Sequence, residues 1–134
     1  MLVTKKLNFS AAHRLFNPKL DENENREIYG KCSNLHGHGH YYTLEITVKG
    51  TIDPKTGMVI NVDTLKNVVN EEIIDKVDHK NLNFDVDFLK DTIPTMENLV
   101  QVFWDILKDK IPEGELFEIR LHESDENFVV YRGK

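Results

Sequence analysis

The sequence predicts a single α+β domain over residues 1–134, in which an antiparallel sheet is covered on one face by two helices. Short segments that alternate apolar and polar residues are typical of half-buried strands. Two longer segments repeat apolar residues at helical spacing, and short turns join these elements. No internal repeat, low-complexity tract or flexible linker divides the chain, which indicates one folding unit.

The first two predicted strands carry histidines on their apolar faces. The first runs from Val3 to His13, and His13 shares the face of the apolar positions 7 and 9. In the second strand the even positions from 42 to 48 are apolar, and His38 and His40 have the same parity. The turn at residues 53–57 predicts a hairpin to a third strand at residues 58–62, antiparallel to the second.

Two amphipathic helices follow this hairpin. Asp63 is the predicted N-cap of a helix from Thr64 to Val77. Thr95, which follows Pro94, is the predicted N-cap of a second helix that ends before Pro112. The apolar stripes of both helices fit core packing, so we expect both to cover the sheet.

The C-terminal part of the chain predicts two more strands. The odd positions from Phe117 to Leu121 form the apolar side of a fourth strand, and a last strand spans Phe128 to Arg132. Glu123 has the parity of the apolar face, where an unpartnered carboxylate would be costly. Nearer the N-terminus, residues 21–27 (DENENRE) are acidic and polar and predict a solvated loop.

The composition argues against several classes of partner. A formal net charge of −6 and an isoelectric point near 5.5 disfavour nucleic-acid binding, which needs clustered positive charge. No apolar run approaches the roughly 20 residues that cross a bilayer, so no membrane partner is expected. The N-terminal residues lack the apolar region of a secretory signal, and the single cysteine allows no intrachain disulfide. Together these features predict a cytoplasmic protein.

Alternating histidines after the only cysteine are the strongest chemical signal. Side chains two residues apart in a strand point to one face, so His38 and His40 can bind one metal ion about 2 Å from each nitrogen. His13, at the end of another strand, is the best candidate for a third ligand. Three histidines with an open fourth position describe a catalytic zinc site. The pattern alone fits ordinary surface and core histidines equally well.

Cys32, Asp78 and His79 have plain structural alternatives. A lone Cys32 fits a small buried apolar side chain, and the adjacent Asp78 and His79 fit the C-terminus of a helix. Near a zinc ion the pKa of the thiol would fall, and the thiolate could act as base or nucleophile.

Seven segments spread over nearly the whole chain occur together. They are FSAAHRL (9–15), GKCSN (30–34), HGHYY (38–42), DPKTGMV (53–59), DHKNLN (78–83), PTMEN (94–98) and VVYRG (129–133). With these segments the chain resembles the 6-pyruvoyltetrahydropterin synthase family, a group that also contains bacterial 6-carboxytetrahydropterin synthases. Any one segment alone is a weak signal, whereas the set is highly specific.

The resemblance implies a fold, an assembly and a set of site residues. The implied structure is the tunnelling fold, a four-stranded antiparallel sheet with two helices on one face. Trimers close into a barrel, two trimers stack into a homohexamer, and active sites lie at subunit interfaces. The implied residues are zinc ligands His13, His38 and His40, catalytic residues Cys32, Asp78 and His79, and pterin-binding residues Glu123 and Thr95.

The resemblance also implies a reaction. Its substrate is 7,8-dihydroneopterin triphosphate, and its products are 6-pyruvoyltetrahydropterin and triphosphate. Arg14, Lys31 and Lys80 are candidate contacts of the triphosphate. Two alternatives are a 6-carboxytetrahydropterin synthase of the queuosine pathway, acting on the same substrate, and a zinc-binding module of this fold without catalytic activity.

His36 creates an ambiguity about which histidines bind zinc. Counted from Cys32, the pair could be His36 and His38, as in the carboxy-forming enzymes, or His38 and His40, as in the pyruvoyl-forming ones. In both branches of the family the second zinc histidine lies ten residues before the glycine that precedes the DP turn. Ten residues before Gly50 is His40, so the family pattern selects His38 and His40 and leaves His36 as an extra histidine.

Overall fold

A five-stranded mixed sheet organises the chain in the computed structural model, which describes residues 1–134. The strands are β1 Leu2–His13, β2 His38–Lys49, β3 Lys80–Asn81, β4 Glu115–His122 and β5 Phe128–Tyr131. The strand order is β3-β1-β2-β4-β5, and β3 runs parallel to β1 while all other neighbours are antiparallel. The expected four-stranded, wholly antiparallel sheet is therefore wrong, because the chain after the first long helical segment adds a short parallel edge strand.

The two predicted strands with histidines form the longest pairing of the sheet. Twelve residues of β1 face twelve residues of β2, from Leu2 opposite Lys49 to His13 opposite His38. Alternate side chains of this ladder enter the core, and the ring of Phe9 stacks on Tyr42 with centroids 4.7 Å apart. Burying side chains of this size contributes about 1.5–3 kcal/mol each, so the ladder is anchored beside the histidines.

Helices cover only the apolar face of the sheet. A helical segment begins with α2 (Val62–Val69) and continues through a π-helical stretch, Asn70–Ile74, into α3 (Asp75–Val77). Its N-cap is Asn61, whose side chain accepts the Asp63 N–H, so the predicted cap at Asp63 is wrong by two residues. The predicted cap of the second helix is confirmed, since Thr95 Oγ1 accepts the Asn98 N–H at 3.2 Å. The helices are α1 Glu22–Tyr29, α2 Val62–Val69, α3 Asp75–Val77 and α4 Met96–Leu107.

The predicted third strand at residues 58–62 does not form. Only one isolated bridge joins Asp53 and Met58, and Val62 already belongs to α2. Both edges of β2 are occupied, by β1 and β4, so no edge remains for a hairpin partner. Val59 and Ile60 instead pack into the core below the sheet.

The acidic segment 21–27 is helical rather than a loop. Asp21 caps α1, its carboxylate accepting the Glu24 N–H at 2.8 Å while the Glu24 carboxylate accepts the Asp21 N–H. Asn25, fully buried, donates from its amide to the carbonyls of Asn17, Leu20 and Asp21. Most of the helix surface is nonetheless exposed, as its charge suggested.

A bulge in β4 changes which of its residues enter the core. Glu118 pairs with Thr47 and Leu116 with Val48, so Phe117 has no cross-strand partner. The core position expected for Phe117 is therefore taken by Leu116, which is buried, and Phe117 is half-buried near the cations of Lys49 and Arg132.

The opposite face of the sheet is polar and carries no helix. Glu45 and His122 are joined there at 2.5 Å, and buried Glu118 accepts the Nε–H of Arg120 and of Arg132 at 2.8 Å each. No helix of the protein combines the length and apolar character needed to cross a membrane.

Candidate metal and catalytic site

Three histidines converge where the β1–β2 ladder ends. His13 and His38 are cross-strand partners, and His40 lies two residues further along β2 on the same face. The Nε2 atoms of His13 and His38 are 3.3 Å apart, and those of His38 and His40 are 3.0 Å apart. The alternation of strand side chains predicted from the sequence thus places His13, His38 and His40 together on one face.

These separations fit a tetrahedral zinc ion. Two nitrogens that each bind zinc at 2.0–2.1 Å are separated by about 3.4 Å, close to the distances between neighbouring Nε2 atoms here. All three potential ligand atoms lie within 4.8 Å of one another. Three imidazoles suit zinc and leave a fourth position for a substrate oxygen.

Contacts of His13 prepare it to bind a metal through Nε2. Its Nδ1 is 3.0 Å from the carbonyl oxygen of Pro94 and 3.3 Å from the hydroxyl of Tyr42. An Nδ1–H that donates to the Pro94 carbonyl leaves the lone pair on Nε2 free, the arrangement common in metal-binding histidines. Pro94 immediately precedes the cap of α4, so the start of this helix orients the His13 imidazole on β1.

The surroundings of His13 and His40 favour the neutral, metal-binding form of these two imidazoles. Burial lowers the pKa of His13 to about 4, against an opposing effect of the Pro94 carbonyl, and His40 and His38 lower it further. Burial also lowers the pKa of His40, although the carboxylate of Glu123 acts in the other direction. Neutral histidines are the form that binds a cation without first releasing a proton.

Cys32 lies beside this cluster on a short 3-10 helix, Gly30–Ser33. Its sulfur is 3.9 Å from His38 Nε2, and the side chain is half-buried. Burial, followed by the negative charge of Glu123, raises the pKa of the thiol. The protein groups alone therefore favour the thiol, and a neighbouring cation is required to favour the thiolate.

Glu123 follows β4 and also reaches the cluster. Its Oε2 is 3.9 Å from His40 Nε2, and about a fifth of its side chain is exposed. The apolar parity noted in the sequence points this carboxylate to the covered face of the sheet, next to the histidines. Thr95 is more constrained, since its N–H donates to Ile93 O at 2.8 Å and its carbonyl accepts the Leu99 N–H.

Asp78 and His79 form a dyad away from the histidine cluster. His79 Nδ1 is 3.0 Å from Asp78 Oδ2, and the other carboxylate oxygen accepts the Ser10 N–H at 2.9 Å. That backbone hydrogen bond is the main cause of the lowered pKa of Asp78, which burial opposes and His79 reinforces. His79 has a φ of 60°, a backbone conformation unusual for a residue with a side chain.

Within one chain the dyad does not meet Cys32. No hydrogen bond or ion pair connects His79 to Cys32 or to the three histidines. The His79 ring is 82% exposed and lines a groove of about 540 Å³, together with His40, Tyr41, Lys80 and Asn81. Ser10 and Ala12, which line the groove, have the parity that faces away from the helices, whereas Ala11 between them is buried in the core.

Sequence reasoning missed two residues of the site. The Pro94 carbonyl and the Tyr42 hydroxyl both contact His13, which no spacing rule indicates. Tyr42 could have been suspected, because it continues the parity of His38 and His40 and carries a hydroxyl into a buried position. Burial, then the charges of Glu123 and Cys32, raises the pKa of Tyr42 far above its ordinary value, so its hydroxyl stays protonated.

Known proteins with similar sequences carry pterin synthase names. A family model described as 6-pyruvoyl tetrahydropterin synthase matches residues 2–134. The 6-pyruvoyl tetrahydrobiopterin synthase of Poecilia reticulata is 48% identical over 132 residues, which cover 98% of this chain and 90% of the relative. The 6-carboxy-5,6,7,8-tetrahydropterin synthase of Bacillus subtilis is more distant, with 33% identity over 142 residues, 98% of this chain and 85% of the relative.

A solved structure agrees in fold. The 6-pyruvoyl tetrahydropterin synthase of Caenorhabditis elegans superposes with a TM-score of 0.94 and 37% identity, covering 100% of this chain and 96% of that one. The chain therefore belongs to the 6-pyruvoyl tetrahydropterin synthase family.

Proposed function

We propose that this protein converts 7,8-dihydroneopterin triphosphate to 6-pyruvoyltetrahydropterin and triphosphate, with zinc held by His13, His38 and His40. The observation that carries the proposal is that a thiol and a carboxylate each lie next to a different histidine of one cluster. Cys32 Sγ is 3.9 Å from His38 Nε2, and Glu123 Oε2 is 3.9 Å from His40 Nε2. Family membership and the name of the relative with 48% identity support the same activity.

Each residue has a distinct task in this proposal. The carboxylate of Glu123 accepts the paired N–H donors of the pterin ring, beside the half-buried Thr95. Cys32, as thiolate, moves a proton at the carbon next to the substrate's side-chain oxygens. Zinc would bind those oxygens, act as a Lewis acid and make the neighbouring C–H more acidic. Loss of triphosphate and an internal redox tautomerisation balance the reaction without an external oxidant or reductant.

Asp78 and His79 are proposed to serve the active site of a neighbouring subunit. Asp78 orients the imidazole through the 3.0 Å contact, and His79 relays a proton. A ring that is 82% exposed and makes no hydrogen bond or ion pair with its own cluster supports a site completed by another chain. The unpaired outer edge of β5, with exposed Phe128 and Val130, supports strand pairing between subunits in the homohexamer of stacked trimers.

Product analysis tests the proposed reaction. The zinc-loaded protein is incubated with 7,8-dihydroneopterin triphosphate, and the product is identified by mass spectrometry. We expect the 6-pyruvoyl product and triphosphate. A 6-carboxy product with release of acetaldehyde would refute the proposal and assign the activity of the Bacillus relative.

Cys32→Ala should keep its zinc and lose turnover by about 10²-fold or more. Unchanged behaviour of that variant would support a non-catalytic zinc module.

Mixing variants tests the shared site. Cys32→Ala and His79→Ala protein should each be inactive alone. After unfolding and refolding together, mixed oligomers should regain about a quarter of the activity, because random assembly gives some sites both intact groups. No recovery in mixed oligomers that have formed would show that each chain supplies its own dyad.

A further inference from the structure

The turn that carries Cys32 is attached to the end of β1 by two hydrogen bonds. The Leu15 N–H donates to the carbonyl of Cys32 at 2.7 Å, and the Arg14 Nε–H donates to the carbonyl of Ser33 at 2.8 Å. Apart from Ser33, the residues of this turn are exposed or half-buried, so side-chain packing holds the turn weakly. The position of the sulfur therefore depends on residues 14 and 15.

The guanidinium group of Arg14 is enclosed by protein contacts. Only 13% of the Arg14 side chain is exposed. Its Cζ lies 3.9 Å from the centroid of the Phe16 ring, and one terminal nitrogen is 3.5 Å from the carboxylate of Glu22 on α1. These contacts fix the Nε–H in the direction of the Ser33 carbonyl and leave little of the group free to meet a substrate.

The backbone of Arg14 is fixed as well. Its N–H donates to Asn83 Oδ1 at 2.7 Å, and its carbonyl accepts from Asn83 Nδ2 at 2.8 Å. Asn83 thus replaces a strand partner at the residue directly after the zinc ligand His13. The side chain that holds the Cys32 turn consequently starts from a backbone position tied to the metal cluster.

We infer that Arg14 is a positioning residue for Cys32, which holds the sulfur at its working distance from the histidine cluster through the Nε–H bond to Ser33. This inference rests on the proposed function only in assigning Cys32 a catalytic role. It replaces the sequence-based suggestion that Arg14 contacts the triphosphate. Misplacing a catalytic group by about 1 Å can cost about a hundredfold in rate, so a single tether can matter.

Two substitutions of matched length separate the hydrogen bond from the charge. Glutamine places an amide nitrogen at the position of the arginine Nε, so Arg14→Gln keeps the donor to Ser33 and removes the charge. Methionine places a methyl carbon there, so Arg14→Met removes both. Arg26→Met, in the exposed helix α1, removes a neighbouring arginine that does not bind the Ser33 carbonyl and serves as control.

The measurements are zinc content, the split between kcat and KM, and alkylation of the only thiol by iodoacetamide. In Arg14→Met we expect one zinc per chain, KM within about twofold, and kcat lower by about a hundredfold. Arg14→Gln should retain at least about tenfold more of kcat than Arg14→Met, and Arg26→Met should match the wild type. Alkylation of Cys32 should become about fivefold faster in Arg14→Met alone, because the untethered sulfur is more exposed.

Three results would overturn the inference. Equal losses in Arg14→Gln and Arg14→Met with a raised KM would assign Arg14 to the triphosphate. Joint loss of zinc and thermal stability in Arg14→Met would indicate a general structural role. Unchanged kcat and alkylation in that variant would show no role at all. The alkylation rate needs no substrate, so it tests the tether even if the wild-type protein fails to convert the pterin.

Discussion

Buried His13, a proposed zinc ligand, should make the zinc-free protein sensitive to acid. Its pKa is about 4 in the folded protein and 6.5 when exposed. The pKa of His13 is therefore lower in the folded protein than in the unfolded chain, by 2.5 pH units at most, so protonating this imidazole is harder in the folded state. At 1.36 kcal/mol per unit this difference amounts to about 3 kcal/mol.

The sign of the effect follows from proton binding. Between pH 6.5 and pH 4 the unfolded chain binds a proton at this position and the folded protein does not. Stability therefore rises with pH across this window. On acidification the loss begins near pH 6.5 and is complete below pH 4.

Urea unfolding of the zinc-free protein at several pH values measures this loss. The control is His13→Asn, which does not titrate and whose amide nitrogen, bonded to Cγ as Nδ1 is, can still donate to the Pro94 carbonyl. Titration of carboxylates affects both proteins alike, so the difference between their free energies of unfolding isolates His13. We expect the wild type to lose about 3 kcal/mol more than the variant between pH 7 and pH 4, at one fixed protein concentration. Parallel pH profiles would refute the reasoning, because they would mean that burial does not oppose protonation of this imidazole.

Three further predictions concern the same end of the sheet and its polar face. His38→Ala should lose zinc by elemental analysis while His36→Ala keeps about one ion per chain, and the reverse result would make His36 a ligand. Gly37→Ala should lower the free energy of unfolding by about 1–3 kcal/mol or more, since Gly37 has a φ of 69° and an added Cβ would lie 2.4 Å from the His13 carbonyl oxygen; an unchanged urea midpoint would contradict this. Glu118→Gln should cost about 1–3 kcal/mol because two charged hydrogen bonds weaken, and a thermal melt equal to that of the wild type would show that they contribute nothing.

Strand periodicity predicted the histidine cluster, because alternation is a local property of extended backbone. His13, His38 and His40 share the apolar parity of their strands, and the ladder then sets His13 opposite His38. Alternation alone could not predict how deeply the cluster is buried. That burial depends on Pro94 and on the packing of α4 against the sheet.

The errors arose where tertiary structure overrode local pattern. Residues 58–62 alternate as a strand does, but both edges of β2 are already paired, so this segment enters the core without a partner. A bulge in β4 moves Phe117 out of its predicted core position. The bulge shifts the strand register by one residue, which the alternation of apolar residues cannot reveal. The helix after Asp21 could have been recognised from the capping box with Glu24, which its high charge obscured.

The histidine cluster lies at the last rungs of the β1–β2 ladder, and this has consequences for exchange of the proposed zinc ion. Strand ends open more readily than strand centres, so His13 and His38 can separate while the 24-residue core remains assembled. Two residues close that end of the ladder. Asn83 forms two hydrogen bonds with the backbone of Arg14, and Gly37 packs against the His13 carbonyl. Loss of zinc to a chelator should thus follow a sub-global opening, faster than global unfolding and governed by residues that never contact the ion.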